Sequence, residues 1–501
     1  MDNFDLLAAR LADAHQLNVA YWLAEWDQNV NMPPEGAAAR AAHLGTLRRL
    51  RHDLLTRDET RTWIERAAAE TAELPTDSFA ASLVRIARRD SDAAVRIPSA
   101  FVGAMTQTLV LARDVWERAK AADNFAQFRP ALEGVLDIKR QEADYIGYES
   151  NPFDALMGKW EPGLTAAHVG AIFDAQRPVL TALIAALAER PPIADAALHQ
   201  SFPMELQRQF ALFVSERMGF DYRRGRLDIS AHPFALQIAR DDVRLTTRYA
   251  ENFFNPAFFG ALHEAGHGMH AQGFGRDIDG TFLSDMELSS QAVAESQSRT
   301  WENLVGRSRA FWEWAFPHAQ RMFAPRFDGM DTDGMYRAVN TARRQFIRVE
   351  ADEATYNLHI MLRFELENEL VNGRLSVADL PDAWNAKFQA LFGSTPPSAK
   401  MGVLQDIHWS MGGIGAFHGY ALGNVLAAQF YAQALAAHPT IPDQIARGQF
   451  DTLRGWLTDT IYQHGRKFTA DELARRVTGK GIDSADYLAY LQTKFGAIYD
   501  L

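Results

Sequence analysis

Two histidines four residues apart give the strongest chemical signal in the sequence. His263 and His267 belong to the motif HEAGH at residues 263–267. On an α-helix this spacing places both imidazoles on one face, one turn apart, as a shared Zn²⁺ requires. Glu264 can then reach a coordinated water, whose pKa the metal lowers from about 15.7 to about 7. The motif predicts metal-assisted peptide hydrolysis.

A third protein ligand is needed to leave the fourth metal position open. The metzincin pattern requires Gly and His at two later positions, where this chain has His270 and Gly273, so that class is excluded. His270 is expected to line the pocket or support a ligand. The remaining candidates are Glu287 and Glu295. Spacing alone does not choose between them.

Three glycines lie in or beside the motif, at Gly260, Gly266 and Gly268. Each weakens a helix by about 1 kcal/mol relative to alanine. We expect close packing or substrate approach to explain this cost.

The elements that position the motif are predicted to be mostly helical. Apolar residues recur at three- and four-residue steps over 37–55, 100–122 and 200–218, and Val/Ile/Thr alternation is scarce. One stretch, 226–239 followed by 243–247, reads as extended and predicts a small sheet. The chain 1–501 is interpreted as one domain, with an internal boundary, if any, near the proline pair in 190–203.

Composition excludes several classes of protein. The chain has 47% hydrophobic residues, which excludes disorder, and a net charge of −12 without a long basic block, which argues against nucleic acid as a partner. It has no cysteine, so a thiolate metal site is excluded. We find neither a secretory signal nor an apolar stretch approaching the roughly 20 residues of a bilayer span. A cytoplasmic protein that does not bind membranes is expected.

Several segments resemble the carboxypeptidase Taq family of metal-dependent carboxypeptidases. In chain order they are HPF (232–234), DVRLT (242–246), HEAGH (263–267), ESQSR (295–299), IRVEAD (347–352) and GVLQDIHW (402–409). Further likeness at 26–34, 151–154 and 420–423 extends the resemblance over nearly the whole chain. It implies an all-α metallopeptidase fold with a long central cleft, similar to neurolysin and angiotensin-converting enzyme, with the small sheet near the active site.

The resemblance also implies roles for individual residues. Glu295 becomes the third metal ligand and Glu264 the general base. Arg348 is implied to recognise the α-carboxylate of a peptide, which suits the paired hydrogen bonds of a guanidinium. His408 and Tyr420 are implied to lie near the oxyanion. The expected reaction removes single amino acids from the free C-terminus of peptides.

Alternatives remain open at this point. Arg348 could form only an i,i+4 salt bridge with Asp352 on a helix face. The protein could be a helical oligopeptidase or dipeptidase, or a metal-binding homologue without activity. Two histidines and a glutamate accept Zn²⁺, Co²⁺ or Mn²⁺. Relatives form homodimers, so the resemblance implies a homodimer as well.

The sequence departs from the family in two places. The family usually has histidine where this chain has Ala294, so a contact to the metal ligands is missing or comes from His270 or another residue. At 415–420 the chain reads GAFHGY, without the usual proline. His418, gained there, is expected to be a solvated loop residue, and Tyr420 is retained.

Overall fold

The computed structural model describes residues 2–501, apart from the side chains of Ser99 and Glu287. Helix makes up 67% of the chain, which confirms the all-helical prediction. The α-helices, in chain order, are α1 Asn3–Val30, α2 Ala37–Thr56, α3 Asp58–Glu70, α4 Phe79–Arg96, α5 Ser99–Ala121, α6 Phe125–Ile146, α7 Pro152–Met157, α8 Ala166–Ala188, α9 Met204–Met218, α10 Phe254–Gln272, α11 Gln291–Arg299, α12 Arg309–Met322, α13 Thr332–Val339, α14 Tyr356–Val371, α15 Leu380–Phe392, α16 His418–Ala437, α17 Ile441–Ile445, α18 Asp451–Thr460, α19 Ala470–Thr478 and α20 Ala485–Tyr499.

The predicted extended stretch forms a three-stranded sheet. Its strands are β1 Gly225–Ile229, β2 Ala235–Ala239 and β3 Asp242–Thr247, in the order β1-β3-β2. The central strand β3 runs parallel to β1 and antiparallel to β2. The sheet packs against α10, where a Cβ added to Gly268 would lie 2.9 Å from Leu245 Cδ2. This confirms a small sheet beside the metal-binding motif.

Glycines allow α10, α11 and α16 to approach closely. A Cβ added to Gly266 on α10 would lie 2.7 Å from the backbone oxygen of Gln297 on α11. A Cβ added to Gly423 on α16 would lie 2.5 Å from the Cβ of Glu295. At Gly260 an added Cβ makes only an ordinary contact, and that residue lines the cleft. Close packing therefore explains two of the three motif glycines.

A long cleft of about 2700 Å³ runs through the molecule. Residues of α1, α2 and α4 line part of it, α10 and α11 contribute the HEAGH motif and Glu295, and the segments 338–356 and 405–408 complete it. This confirms the predicted central cleft.

One hydrophobic cluster extends along the chain from Leu7 to Tyr499. The segment 190–203, between α8 and α9, contributes Leu198 and Phe202, both fully buried. Burial does not measure independent folding, so the single-domain interpretation stays a prediction.

Helix α8 corrects the expectation that no apolar segment approaches the length of a bilayer span. It is 23 residues long with a hydropathy of 1.4 in its most apolar window, so length and composition alone would let it cross a membrane. A core helix meets the same criteria, and the α8 residues Leu180 and Leu187 belong to the hydrophobic cluster. The helix packs against α14, α15 and α20.

Candidate metal centre and active site

Three side chains that could bind a metal meet on one wall of the cleft. His263 and His267 project from α10 and Glu295 from α11, and one ligand atom of each lies within 4.8 Å of the other two. His263 Nε2 is 3.7 Å from Glu295 Oε2, and the imidazole centroids are 5.0 Å apart. Two imidazole nitrogens and one carboxylate fit a divalent ion with an open position. The side chain of Glu287, the other glutamate considered, lies outside the described part of the chain.

Helix α11 is anchored where it begins, which positions Glu295 one turn later. Ser290 caps the helix by accepting a hydrogen bond from the backbone N–H of Val293 at 3.0 Å. The buried carboxylate of Glu161 accepts hydrogen bonds from Ser290 Oγ at 2.7 Å and from the backbone N–H of Ala292. Burial raises the pKa of Glu161 to about 7.

Glu302 orients the first histidine, a role that the sequence motifs did not reveal. Its Oε2 lies 2.9 Å from His263 Nδ1 and accepts a hydrogen bond from Arg299 at 3.0 Å. Burial would raise the pKa of Glu302, but Arg299 and His263 outweigh it and lower the pKa to about 2. The ionised carboxylate therefore accepts a hydrogen bond from the Nδ1–H group, which leaves the Nε2 atom of His263 free to bind a metal. The available signal was spacing, since Glu302 follows Glu295 by about two helical turns.

The remaining titratable groups of the motif suit metal-dependent chemistry. Burial lowers the pKa of His267 to about 4, so its imidazole is neutral and able to bind a cation. Glu264 is 6% exposed, and burial raises its pKa to about 7. A carboxyl group that titrates near neutral pH can both accept and return a proton.

His270 does not replace the histidine missing at Ala294. It packs against Phe274 and Tyr462, and neither ring nitrogen has a hydrogen-bond partner among the described residues. Burial lowers its pKa to about 3. The contact that supports the metal ligands comes instead from Glu302.

Arg348 is buried in an ion-pair cluster. One of its terminal nitrogens lies 2.9 Å from Asp406 Oδ1, and the other donates to the hydroxyl of Tyr356 at 3.0 Å. Arg363 pairs with the second oxygen of Asp406 at 2.5 Å. The alternative pairing with Asp352 is wrong, because Arg348 lies in a 3₁₀ turn and Asp352 accepts backbone N–H groups instead. Asp406 and Arg363 were not predicted from the sequence, although Asp406 lies within the matched GVLQDIHW segment.

His408 and Tyr420 line the same cleft as Arg348. The His408 ring centroid is 4.5 Å from that of Phe417 and 6.3 Å from that of Tyr420. The Arg348 guanidinium carbon is 5.4 Å from the Tyr420 centroid. Burial lowers the pKa of His408 to about 4 and raises the pKa of Tyr420 above its usual value. Both side chains are therefore neutral hydrogen-bond donors at pH 7.

A buried glutamate holds the segment that carries His408. Glu367 accepts hydrogen bonds from Trp409 Nε1 at 2.7 Å and from the backbone N–H of Gly415 at 2.9 Å. Burial raises the pKa of Glu367 to about 8. His418 begins α16 and is 1% exposed, so the expectation of a solvated loop histidine is wrong.

A helical fold whose long cleft holds a His-His-Glu cluster beside a buried glutamate has the architecture of a metallopeptidase. Comparison with known families makes this specific. Residues 7–495 match the family described as Carboxypeptidase Taq (M32) metallopeptidase, and the chain belongs to that family. It is a metallocarboxypeptidase, and its family membership implies a divalent metal.

Individual relatives agree over nearly the full length. Thermostable carboxypeptidase 1 of Thermus thermophilus is 39% identical over 95% of both chains, and carboxypeptidase 1 of Bacillus subtilis is 33% identical over 95% of both. The crystal structure of the M32 carboxypeptidase from Deinococcus radiodurans superposes with a TM-score of 0.96, at 39% identity and 100% coverage of both chains. The carboxypeptidase of Pyrococcus furiosus gives 0.95 at 32% identity and 99% coverage of both.

Proposed function

We propose that the protein is a zinc-dependent carboxypeptidase that removes one amino acid at a time from the free C-terminus of peptides. The observation that carries this proposal is the convergence of His263, His267 and Glu295 to within 4.8 Å in a cleft also lined by Glu264. Co²⁺ and Mn²⁺ accept the same donors.

His263, His267 and Glu295 would hold the ion, and Glu302 would orient His263. When bound, the metal supplies a Lewis acid that polarises the scissile carbonyl and makes water more acidic. Glu264 takes a proton from the attacking water as the water oxygen bonds to the carbonyl carbon. The same carboxyl then returns the proton to the amine nitrogen as the C–N bond breaks.

Other residues that line the cleft would bind the substrate. His408 and Tyr420 donate hydrogen bonds to the carbonyl oxygen as its negative charge develops; in other enzymes one such donor contributes about 2.7 to 4 kcal/mol. Arg348 pairs with the terminal α-carboxylate. Two arginines share one carboxylate in the cluster of Arg348, Arg363 and Asp406, which supports this role because the cluster carries one excess positive charge.

The test is mass spectrometry of N-terminally blocked peptides incubated with the metal-loaded protein and with Glu264→Gln. Wild type should produce ladders that shorten by one C-terminal residue, and the variant should keep its metal but lose turnover by orders of magnitude. Internal cuts would favour the oligopeptidase alternative. Metal loss in Glu264→Gln would contradict its assignment as the base.

The ligand set has its own test. Glu295→Gln should lose the metal, measured by elemental analysis after dialysis, whereas Glu287→Gln should retain it. The reverse result would move the third ligand to Glu287.

The expected homodimer and cytoplasmic location stay proposals that rest on the family resemblance. Light scattering after size-exclusion chromatography tests the first, because a dimer of this chain would have twice the monomer mass of 56.1 kDa.

A further inference from the structure

A second group of arginines lines the cleft, on elements other than those of the metal centre. Arg51 projects from α2, Arg89 from α4, and Arg466 from the turn after α18. Gly465 fixes this turn in a left-handed conformation with φ of 52°. An added Cβ there would lie 2.5 Å from a backbone oxygen of Leu283, so the position of Arg466 is tightly determined.

The two most buried guanidinium groups in this set share one aromatic ring. The guanidinium carbons of Arg51 and Arg466 lie 5.8 Å and 5.1 Å from the centroid of the buried Phe282 ring. Both therefore occupy the same small region of the cleft wall.

Their hydrogen-bonding capacity is largely unused within the described part of the protein. Arg466 is 3% exposed and donates to Asp90 at 2.8 Å, but its Nε and the other terminal nitrogen have no partner among the described residues. The side chain of Arg51 forms neither a hydrogen bond nor an ion pair with any described residue, and its Nε is buried. Burial also lowers the pKa of Arg51. Arg466 is buried and Arg51 half-buried, and a cation withdrawn from water without a full set of partners is costly, so an anion would offset that cost.

The two described carboxylates that act on Arg51, Asp90 and Asp285, do not supply this anion. Asp90 already pairs with Arg466 and with Arg89, whose Nε donates to it at 3.0 Å. Asp285 accepts a hydrogen bond from Asn18 at 2.7 Å and forms no ion pair with Arg51 within 4.0 Å. Among these five described side chains, three arginines and two aspartates leave one excess positive charge.

We propose that Arg51 and Arg466 form an anion subsite of the cleft that binds a carboxylate-like group. Because the cleft is continuous with the metal centre, an acidic side chain of the peptide, upstream of the scissile bond, can supply that group. A free anion such as inorganic phosphate has the same chemistry. The peptide form of this inference rests on the proposed function and adds a preference for acidic peptides to it.

The first experiment uses peptides that differ only by Glu or Gln at one upstream position, scanned along the sequence with a constant C-terminal residue. At one or more positions the metal-loaded wild type should have a kcat/KM about tenfold higher for the Glu peptide than for the Gln peptide, chiefly through a lower KM. A tenfold ratio corresponds to about 1.4 kcal/mol. Arg51→Gln should bring this ratio near one while leaving turnover of the Gln peptides unchanged. Arg51→Lys should retain part of the preference.

The matched control is Arg61→Gln, which removes an exposed arginine from α3. It should leave the Glu/Gln ratio at the wild-type value. Arg51 forms no hydrogen bond or ion pair with a described residue, so its substitution removes only its contact with the Phe282 ring, and we expect the variant to fold. Arg466→Lys, which keeps the charge beside Asp90, serves as a second variant with fewer donors and should weaken the preference.

The second experiment measures stabilisation of the protein against heat by inorganic phosphate, at constant ionic strength. It needs no turnover, so it stays readable if the proposed reaction is wrong. Phosphate stabilisation lost in Arg51→Gln, without a Glu preference, would support the anion subsite with a free anion as its occupant. A Glu preference lost in the same variant would identify the peptide as the source. The absence of both effects in wild type would overturn the proposal.

Discussion

The hydrogen bond between Glu302 and His263 is expected to make a measurable contribution to the metal affinity of the protein. The two side chains meet at 2.9 Å, with 13% and 17% of their surfaces exposed, so water screens the contact weakly. Glu302→Gln keeps the size and an accepting oxygen but removes the negative charge. Arg299, which donates to the same carboxylate, also loses this charged partner but keeps Glu295 at 3.7 Å.

The magnitude follows from the kind of hydrogen bond that is lost. A bond to a charged group contributes about 1.5 to 3 kcal/mol and a neutral bond about 0.5 to 1.5 kcal/mol. The substitution should therefore cost about 1 to 1.5 kcal/mol of binding free energy, which is close to a tenfold increase in Kd. In other metalloproteins, loss of a group that orients a metal-binding histidine lowers metal affinity or activity by about 10- to 100-fold.

The assay is competition for Zn²⁺ and Co²⁺ between the protein and a chelator at a fixed pH of 8. Glu313→Gln on α12, an exposed site, is the control and should bind as wild type does. A Kd for Glu302→Gln within twofold of wild type, in a variant that remains folded, would refute the orienting role of Glu302.

Three further predictions concern packing, pH and substrate binding. Gly423→Ala should lower the free energy of unfolding by about 1 to 3 kcal/mol, because the new Cβ would lie 2.5 Å from the Cβ of Glu295. Gly170→Ala, where the new Cβ would have no atom within 4 Å, should raise the free energy of unfolding by up to about 1 kcal/mol. Equal effects of the two substitutions in urea denaturation would contradict this prediction. Burial raises the pKa of Glu367 from 4.5 to about 8, so the stability that its proton provides is complete below pH 4.5 and lost as the pH rises to about 8. Relative to Glu367→Gln, wild type should lose up to about 5 kcal/mol across that window in denaturation curves, and a constant difference would refute the shift. Arg348→Lys should raise KM about 10-fold or more with unchanged metal content, because an ammonium group cannot form the paired bonds of a guanidinium; an unchanged KM for short peptides would remove Arg348 from substrate binding.

The fold was largely predictable because its signals are local. Helical periodicity predicted α2, α5 and α9 to within a few residues, and the turn residues around 226–247 predicted the sheet. The long apolar helix α8 was not expected because polar residues interrupt its apolar run, although the helix remains apolar on average. The order of β1-β3-β2 depends on contacts across the chain, which single-sequence patterns do not contain.

The site divides in the same way. HEAGH places two side chains through helix geometry alone, whereas the choice of Glu295 depended on resemblance to a family. Glu302, Asp406 and Glu367 were missed because each acts through a partner distant in sequence. The burial of His418 was not predicted for the same reason, since no local sequence pattern identifies the residues that surround α16.

The cluster around Arg348 shows why exopeptidase specificity in the proposed reaction depends on more than one residue. Asp406 already neutralises one positive charge, so Arg348 alone would offer little to a peptide carboxylate. Arg363 pairs with the same aspartate and restores an excess of one positive charge in a buried place. A terminal α-carboxylate balances that charge, whereas an internal peptide bond leaves it unpaired, at a cost of several kcal/mol for a buried ion. In the proposed reaction, specificity for the free C-terminus would therefore depend on the three charges together, with Asp406 fixing the orientation of the Arg348 guanidinium.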